Sequence, residues 1–414
     1  MNYLIQAPAN RSVRTVLKLP ASKSISNRIL ILNALGNSPY TVRNLSDSDD
    51  TAVMRNALHS NRSAFDIGAA GTAMRFLTAF LSQIEGEWTL TGTERMKNRP
   101  VKLLVEALNA LGARIEYIEK EGYPPLHIFG STLRGGEMTL SGEISSQYIS
   151  ALLMIAPCME KGLILHLEGT VVSAPYIHLT VQLMRQFGAE VEWTGQTIRT
   201  LPGAYRPQPF TVEADWSAAS YWYAVAALSE QAEIGLSGLQ AHSLQGDAAG
   251  AALFARLGVE TAFTAEGAVL RRTGHICEHL TYHFVNEPDL AQTFVTACLG
   301  LEVPFRFTGL QSLKIKETDR IEALKTECRK LGYLLADSQG SVLEWKGGKC
   351  LPEPNPVIRT YEDHRMAMAF APLVLIRRQG LEISRPGVVT KSYPAFWEHL
   401  KAAGFGITPH PQQQ

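Results

Sequence analysis

A helix that ends at glycine and continues into an alternating strand occurs four times in the middle of this chain. The four segments are LVEALNALGARIEY, LTVQLMRQFGAEVEW, GAALFARLGVETAF and IEALKTECRKLGYLL. Their glycines, Gly112, Gly188, Gly258 and Gly332, lie 76, 70 and 74 residues apart. Glycine is favoured just after a helix because it adopts the left-handed backbone conformation without strain. The regular spacing therefore predicts repeated α/β units.

Each of these segments is followed by a polar cluster that opens a second apolar helix. The clusters begin at Ser145, Asp215, Glu287 and Glu362, and similar ones begin at Ser22 and Ala69. In three units the distance from the glycine to the cluster is similar, because Ser145, Asp289 and Asp363 follow Gly112, Gly258 and Gly332 by 33, 31 and 31 residues, which leaves room for additional strands. The C-terminal segment FWEHLKAAGFGI is predicted to supply the first helix of the copy whose second helix begins at Ser22. Both chain ends are therefore expected in one domain.

Composition narrows the possible functions. The 414 residues are 45% hydrophobic and 19% charged, which is typical of a folded chain with two or three cores. Because 39 basic residues balance 39 acidic ones, neither nucleic acid nor an acidic membrane is an expected partner. The N-terminus lacks the apolar core of a signal peptide, and no apolar run approaches the roughly 20 residues that span a bilayer. Five cysteines without a CxxC pair favour a reducing, cytoplasmic location.

Six short segments place hydroxyls, amides or charges where a helix is predicted to begin. They are LPASKSISNR, GAAGTAMR, TGTERMKNRP, SSQ with the later SAPY, KETDR, and DHRM with the later TK. A helix N-terminus suits phosphate or carboxylate because it carries unpaired N–H groups and a partial positive charge. Cations are unfavourable there, yet Lys23 and Arg28 stand in the first turns of one predicted helix. Taken singly, each segment is equally explained by capping, tight packing or a solvated loop.

Motifs of other common enzyme classes are absent from the sequence. It contains no GxxxxGK[ST], GxGxxG, HExxH or GxSxG, and no metal-binding cluster or nucleophilic triad is evident. The sequence therefore gives no reason to expect a metal or other cofactor.

In their order along the chain, these segments resemble the serial signature of the 5-enolpyruvylshikimate-3-phosphate synthases. The match extends from about Leu19 to Phe396, and SKSxSNR, KETDR and DHRMAM together are highly specific. The resemblance implies an α/β fold, a two-domain inside-out α/β barrel of repeated βαβαββ units. One domain would comprise residues 21–212, and the other residues 1–20 and 213–414, with the active site in the cleft between them. We expect a monomer.

The resemblance also implies a reaction and its residues. The enolpyruvyl group of phosphoenolpyruvate would pass to the 5-hydroxyl of shikimate 3-phosphate with release of phosphate, in the shikimate pathway of aromatic amino-acid biosynthesis. Shikimate 3-phosphate would contact Lys23, Ser24, Arg28, Ser145, Ser146, Gln147, Ser173, Tyr176, Asp289, Ser312 and Lys316. Phosphoenolpyruvate would contact Lys23, Gly71, Arg99, Gln147, Arg320, Arg365 and Lys391. Asp289 would accept the hydroxyl proton, Glu317 would protonate and deprotonate carbon 3, and Lys23 or Lys391 would assist the departure of phosphate.

Three features depart from the family pattern. Ala69 stands where the family usually has asparagine, and Ser312 stands where asparagine is frequent. The stretch from about Asn61 to Gly71 spans only 10 residues, so the strand pair of that unit is predicted to be missing.

Two alternative functions share the expected fold. The sister enolpyruvyl transferase that acts on a UDP-sugar uses a cysteine near the loop of Arg99, but the first cysteine here is Cys158. A non-catalytic anion-binding protein would have lost Lys23, Asp289 or Glu317, and all three are present. The residues therefore favour the shikimate enzyme.

Overall fold

The chain folds into two compact units in a computed structural model that describes residues 1–411. We call Ala21–Val212 the inserted unit, because it interrupts the sequence of the other. Met1–Pro20 and Glu213–Gln414 form the terminal unit, which contains both chain ends. Among the described residues, no helix is both long enough and apolar enough to cross a membrane.

Strands and helices alternate along most of the chain. The strands are β1 (Asn2–Gln6), β2 (Val13–Lys18), β3 (Ala64–Asp66), β4 (Gly86–Thr91), β5 (Arg114–Tyr117), β6 (Leu126–Gly130), β7 (Gly136–Ser141), β8 (Leu163–Glu168), β9 (Val191–Thr194), β10 (Thr197–Thr200), β11 (Ala232–Ser237), β12 (Leu257–Thr264), β13 (Gly267–Ile276), β14 (Leu280–His283), β15 (Phe305–Thr308), β16 (Ala336–Ser338), β17 (Val342–Trp345), β18 (Val357–Ile358), β19 (Leu381–Ser384) and β20 (Gly406–His410). The helices are α1 (Lys23–Leu35), α2 (Asp49–Leu58), α3 (Gly71–Ser82), α4 (Glu94–Lys97), α5 (Lys102–Ala110), α6 (Ser146–Ile155), α7 (Ala174–Gln186), α8 (Trp216–Leu228), α9 (Gly250–Ala255), α10 (Ala291–Gly300), α11 (Arg320–Lys330), α12 (His364–Phe370) and α13 (Phe396–Ala402).

Five four-stranded sheets share one topology. In each sheet two strands pair in parallel across an intervening helix. A third strand pairs antiparallel with the second of these, and its other edge pairs antiparallel with the fourth strand. The inserted unit holds the sheets β3-β4-β6-β5 and β7-β8-β10-β9. The terminal unit holds β2-β11-β13-β12, β14-β15-β17-β16 and β18-β19-β1-β20. The βαβαββ repetition predicted from the sequence is confirmed.

Three of the four repeated glycines lie where the sequence predicts them. Gly112, Gly188 and Gly332 follow the last residue of α5, α7 and α11 by two positions, at φ angles of 106°, 83° and 96°. Such angles suit only glycine without strain. Gly258 differs, because α9 is one short helix and the chain enters β12 at Leu257, so this glycine lies inside the strand at a shift of register.

Strands near the two ends of the chain meet in one sheet. Strand β1 pairs with β20, with Ile5 opposite Ile407, and its other edge pairs with β19. The assignment of α13 to the copy that begins at Ser22 is wrong. In space β2 is continued by α8, since the Asp215 N–H donates to the Pro20 carbonyl at 2.9 Å and β2 pairs in parallel with β11. The inserted unit separates β2 from α8 in sequence and so conceals this connection.

The strand pair expected to be missing near residue 61 is indeed missing. Helix α2 is followed directly by β3, with no strand between them in the described chain. The preceding loop makes only an isolated parallel bridge between Arg43 and Thr211. The inserted unit therefore holds two sheets, and the terminal unit three.

Three buried helices pack together in each unit, one from each copy. They are α1, α3 and α6 in the inserted unit and α8, α10 and α12 in the terminal unit. Helix α8 shows why the sequence places it there, because every one of its residues except Ser217 is buried. A helix that is apolar on all sides must be surrounded by protein. Most of the predicted site residues lie at or near the starts of these helices, and each unit contains its own set of them.

Candidate active site

The start of α1 carries the first predicted site residues. The Ser22 hydroxyl caps the helix by accepting the Ile25 N–H at 3.4 Å. Lys23 places its Nζ 3.6 Å from an Asp50 carboxylate oxygen, and Asp50 lies in the first turn of α2, where an acid is favourable. Four residues after Ser24, the Arg28 guanidinium donates back to the Ser24 carbonyl at 2.8 Å.

Two other polar residues of the SKSISNR segment act on the neighbouring loop. Ser26 accepts the Ser46 N–H at 3.0 Å, and the Asn27 side-chain oxygen accepts the Thr51 hydroxyl at 2.9 Å. These bonds fix the loop that leads into α2 and thereby place Asp50 beside Lys23. The sequence analysis missed Asp50, although an acidic pair that opens a predicted helix was a usable signal.

Arg28 is a buried cation surrounded by neutral acceptors. It is 2% exposed and donates to the Thr180 hydroxyl at 2.6 Å, and to the Ser150 hydroxyl and the Tyr176 carbonyl at 3.2 Å. Within residues 1–411, no carboxylate forms an ion pair with it. Burial lowers the pKa of Arg28 to about 10, so the group still carries a proton at neutral pH. An uncompensated buried charge of this kind favours an anionic ligand.

The starts of α3 and α6 are joined by side chains. The Gln147 amide donates to the Thr72 hydroxyl at 3.3 Å. Gly71 is the first residue of α3, and its carbonyl accepts from Arg75 at 2.7 Å. A Cβ atom at Gly71 would lie 2.5 Å from a guanidinium nitrogen of Arg99. A side chain at Gly71 would therefore require the Arg99 guanidinium to shift.

The remaining residues predicted to contact shikimate 3-phosphate in this unit lie at the starts of α6 and α7. The Ser145 hydroxyl caps α6 by accepting the Gln147 N–H at 3.4 Å, and Ser146 is its first residue. Ser173 precedes α7 in the left-handed conformation, at a φ of 58°, and Tyr176 lies in the first turn of that helix. Arg28 contacts both helices, through the Ser150 hydroxyl of α6 and the Tyr176 carbonyl of α7.

Arg320, at the start of α11, lies at the centre of the terminal-unit cluster. It is 1% exposed and donates to Asp363 at 2.7 Å, to Glu317 at 2.8 Å and to Asp289 at 3.0 Å. Burial by itself would lower the pKa of Arg320, but the three carboxylates outweigh it and raise that pKa above its usual value. Asp363 also caps α12, so it fixes Arg320 relative to that helix.

Asp289 lies among several cations. Arg365 donates to its carboxylate at 2.9 Å and to its carbonyl at 3.3 Å, and the Lys316 Nζ is 3.7 Å from the carboxylate. Burial would raise the pKa of Asp289, but the positive charges of Arg365, Lys316 and Arg320 hold it well below its usual range. The carboxylate is therefore ionised at neutral pH. Arg365 is held further by the Tyr221 hydroxyl at 3.3 Å.

Three more predicted residues lie in the terminal unit. The Lys391 ammonium donates to the Glu362 carbonyl at 2.7 Å, just before α12. The Ser312 hydroxyl is buried and has no hydrogen-bond partner among the described residues, so it is suited to a ligand. Burial lowers the pKa of Lys316, with Asp289 opposing the shift. In residues 1–411 there is no group of three or more His, Cys, Asp or Glu that could hold a metal ion.

Comparison with known proteins identifies the family. The model of the family described as EPSP synthase (3-phosphoshikimate 1-carboxyvinyltransferase) matches residues 8–64 and 59–400. The chain belongs to the EPSP synthase family. The resemblance inferred from the motifs is thus confirmed.

Named relatives extend this match over the chain. A 3-phosphoshikimate 1-carboxyvinyltransferase of Bacteroides fragilis is 58% identical over 408 residues, which are 98% of this chain and 99% of the relative. One from Vibrio campbellii is 35% identical over 432 residues, covering 97% of this chain and 99% of the relative. A solved structure of EPSP synthase from Acinetobacter baumannii has a TM-score of 0.80 at 20% identity, over 99% of this chain and 100% of that one. This last likeness supports the fold alone.

The structure also places further residues around Arg320 and Arg365, and the sequence analysis had assigned no role to them. Asp363 was seen only as part of a motif, yet it is fully buried against Arg320. Ser217 and Tyr221 of α8 both contact Arg365, and Asp247 contacts Ser217. No sequence signal marked Asp247, which is a single acid in the unremarkable segment LQGDAAG.

Proposed function

We propose that this chain transfers the enolpyruvyl group of phosphoenolpyruvate to the 5-hydroxyl of shikimate 3-phosphate and releases phosphate. The observation that carries the proposal is Asp289, a carboxylate kept ionised by Arg365, Arg320 and Lys316. A base beside several cations suits a reaction in which a hydroxyl loses its proton while an anionic substrate is bound. The chain's named relatives carry the matching activity in their names.

The inserted unit supplies the contacts of shikimate 3-phosphate in this proposal. Arg28 offers a positive charge that no carboxylate of the described chain compensates by an ion pair. Hydroxyl groups at the starts of α6 and α7 can donate to the phosphate, and unpaired N–H groups at a helix start favour anions. The residues are Lys23, Ser24, Arg28, Ser145, Ser146, Gln147, Ser173 and Tyr176, and the terminal unit adds Asp289, Ser312 and Lys316.

Phosphoenolpyruvate is proposed to bind the remaining cations. Its carboxylate and phosphate carry the charges that guanidinium groups bind in two-point contacts. The residues are Lys23, Gly71, Arg99, Gln147, Arg320, Arg365 and Lys391. Gly71 belongs in this set because a side chain there would displace the Arg99 guanidinium from its present position.

Asp289 gains basicity when the substrate binds. A carboxylate with a strongly lowered pKa is a weak base, and that is its condition beside Arg365, Arg320 and Lys316. The negative charges of phosphoenolpyruvate would neutralise part of this positive field and raise the pKa of Asp289. The base would therefore become effective only when its co-substrate is in place.

The remaining steps balance as an addition followed by an elimination. Glu317, in its protonated form, gives a proton to carbon 3 of the enol, the 5-hydroxyl oxygen bonds to carbon 2, and Asp289 takes the hydroxyl proton, which the released phosphate later accepts. Glu317 then removes a proton from carbon 3, the double bond reforms, and phosphate leaves with assistance from Lys23 or Lys391. Glu317 is ion-paired with Arg320 at 2.8 Å here, so the proposed phosphoenolpyruvate contact with Arg320 would also release Glu317 for proton transfer.

Phosphate release tests the proposal directly. We expect inorganic phosphate to appear only when both phosphoenolpyruvate and shikimate 3-phosphate are present, in stoichiometric yield with an enolpyruvyl ether of the second substrate. Omission of either substrate is the control. Phosphate release from phosphoenolpyruvate alone, or none with both, would overturn the proposed function.

A further inference from the structure

One buried acid near Arg365, Asp247, has no role in the function proposed above. Asp247 lies in the short 3₁₀ turn Gly246–Ala249 and is 4% exposed. Its carboxylate accepts a hydrogen bond from the Ser217 hydroxyl. Ser217 is the second residue of α8, and its oxygen lies 3.4 Å from a guanidinium nitrogen of Arg365.

These contacts form a chain with one direction. Arg365 can only donate, so the Ser217 oxygen must accept in the contact between them. The single hydroxyl hydrogen of Ser217 is then available to Asp247, which has an oxygen that accepts it in both the ionised and the protonated state. Asp247 therefore orients the Ser217 hydroxyl so that its lone pairs face Arg365.

The loop that carries Asp247 is fastened to the start of α8. The side chain of Gln245 accepts the Trp216 N–H at 3.1 Å and donates to the Ala214 carbonyl at 2.8 Å. It also donates to Glu213 at 2.9 Å. Trp216 is adjacent to Ser217, and Gln245 is two residues from Asp247. The bond between Trp216 and Gln245 therefore fixes the spacing between Ser217 and Asp247.

The electrostatic surroundings show that Asp247 is costly for the fold. Burial raises the pKa of Asp247 to about 7, Asp289 and Asp215 add to the rise, and Arg365 and Ser217 oppose it. Burial raises the pKa of Tyr282, and the negative charges of Glu287 and Asp247 add to this rise. Acids with such strongly shifted values cluster at functional sites.

We propose that Asp247 is a positioning residue for Arg365 and acts through the hydroxyl of Ser217. Asp289 holds one side of the Arg365 guanidinium, and the Asp247–Ser217 pair holds it from α8. The expected consequence is an orientation of Arg365 that favours the carboxylate of phosphoenolpyruvate. This inference rests on the proposed role of Arg365 in binding that substrate.

Steady-state kinetics with Asp247→Ala and Ser217→Ala tests the inference in the full chain. We expect the KM for phosphoenolpyruvate to rise about tenfold in each, the usual effect of one hydrogen bond to a charged group. The KM for shikimate 3-phosphate and kcat should change less than about threefold, because Arg365 would hold its substrate equally in the ground and transition states. The double variant should equal either single one, since the two groups act in series.

Two further variants separate positioning from folding. Asp247→Asn keeps a hydrogen-bond acceptor for Ser217 and should recover most of the lost affinity. Glu213→Gln alters another buried acid, which precedes α8 and contacts the Asp247 loop only through hydrogen bonds from Ser243 and Gln245, and it should leave the KM for phosphoenolpyruvate unchanged. Equal losses in Glu213→Gln, additive effects in the double variant, or an unchanged KM in Asp247→Ala would each overturn the inference.

Arg365→Lys tests the proposed role of Arg365 in substrate binding separately from the positioning role of Asp247. If this variant leaves the KM for phosphoenolpyruvate unchanged, the proposed role of Arg365 fails, and the inference fails with it. If Arg365→Lys raises that KM and Asp247→Ala does not, only the inference fails.

Discussion

The most deeply buried arginine of each unit, among the described residues, has a different set of hydrogen-bond acceptors. Arg28 of the inserted unit is 2% exposed and bonds to hydroxyls and carbonyls. Arg320 of the terminal unit is 1% exposed and bonds to three carboxylates. Burial accordingly lowers the pKa of Arg28, whereas the carboxylates raise the pKa of Arg320.

The comparison shows that a buried arginine can serve two different functions, depending on whether its acceptors are neutral or charged. The charge of Arg28 is uncompensated within its unit, so binding an anion lowers its free energy. The charge of Arg320 is already matched, so it can organise Asp289, Glu317 and Asp363 around one fixed point. We therefore expect the inserted unit to contribute mainly affinity and the terminal unit to contribute the acid–base chemistry.

The largest expected effect concerns that chemistry. Asp289→Asn and Glu317→Gln should each lower kcat by about 10²–10⁴-fold, the usual contribution of a positioned acid or base. The control is Glu302→Gln, an exposed acid of the same unit that pairs with Lys349 at the surface. Initial rates of phosphate release measure the effect. Turnover near that of the unchanged chain in Glu317→Gln would remove the role given to this residue.

The second prediction compares the two arginines in stability. Arg320→Met should lower the free energy of unfolding by about 3–5 kcal/mol, because it leaves several buried carboxylates without their cation. Arg28→Met should cost less than about 2 kcal/mol, because only neutral acceptors lose a partner. Thermal melting of the variants measures both. An equal loss in the two variants would contradict the contrast between the units.

The third prediction concerns affinity in the inserted unit. Arg28→Lys keeps the charge but loses the planar fork that reaches Thr180, Ser150 and the bound anion. The KM for shikimate 3-phosphate should rise about 10- to 100-fold, since several hydrogen bonds to a charged group change together. Arg385→Lys, at an exposed ion pair with Glu362, is the matched control. A change in the KM for phosphoenolpyruvate alone would place Arg28 with the wrong substrate.

The smallest expected effect is a dependence of stability on pH that arises from Glu213. It extends the comparison of buried charged groups from arginine to a carboxylate. Glu213 bonds to Ser243 and Gln245, and burial raises its pKa, as burial lowers that of Arg28. The folded chain therefore keeps this proton to a higher pH than the unfolded chain does. Stability is lost as the pH rises from the ordinary glutamate range, about 4, through the raised value.

Glu213→Gln removes this titration. The melting temperature of Glu213→Gln should therefore increase relative to that of the unchanged chain as the pH rises above about 4. Glu302→Gln, at an exposed site, should show no such trend. A constant difference between Glu213→Gln and the unchanged chain at all pH values would show that Glu213 is not protonated preferentially in the folded state.

Much of the fold could be predicted because its signals are local. The repeated glycines and polar clusters marked where helices end and begin, and capping bonds span only two or three residues, as from Ser22 to Ile25 or from Asp363 to Arg365. Periodicity could not reveal that α8 continues β2, because an entire unit lies between them in sequence. It also could not place Gly258, because the length of α9 depends on how the chain packs into β12.

The sequence by itself determined which residue types stand at the starts of the central helices, and the motifs in their order identified the family. Only the tertiary structure decided which acid meets which cation. Asp289 and Arg365 are 76 positions apart, Ser217 and Arg365 are 148 apart, and Arg28 and Thr180 are 152 apart. The physical reason is that helices from different copies pack side by side. The charge state of each group depends on those distant neighbours and on burial, which no local pattern records.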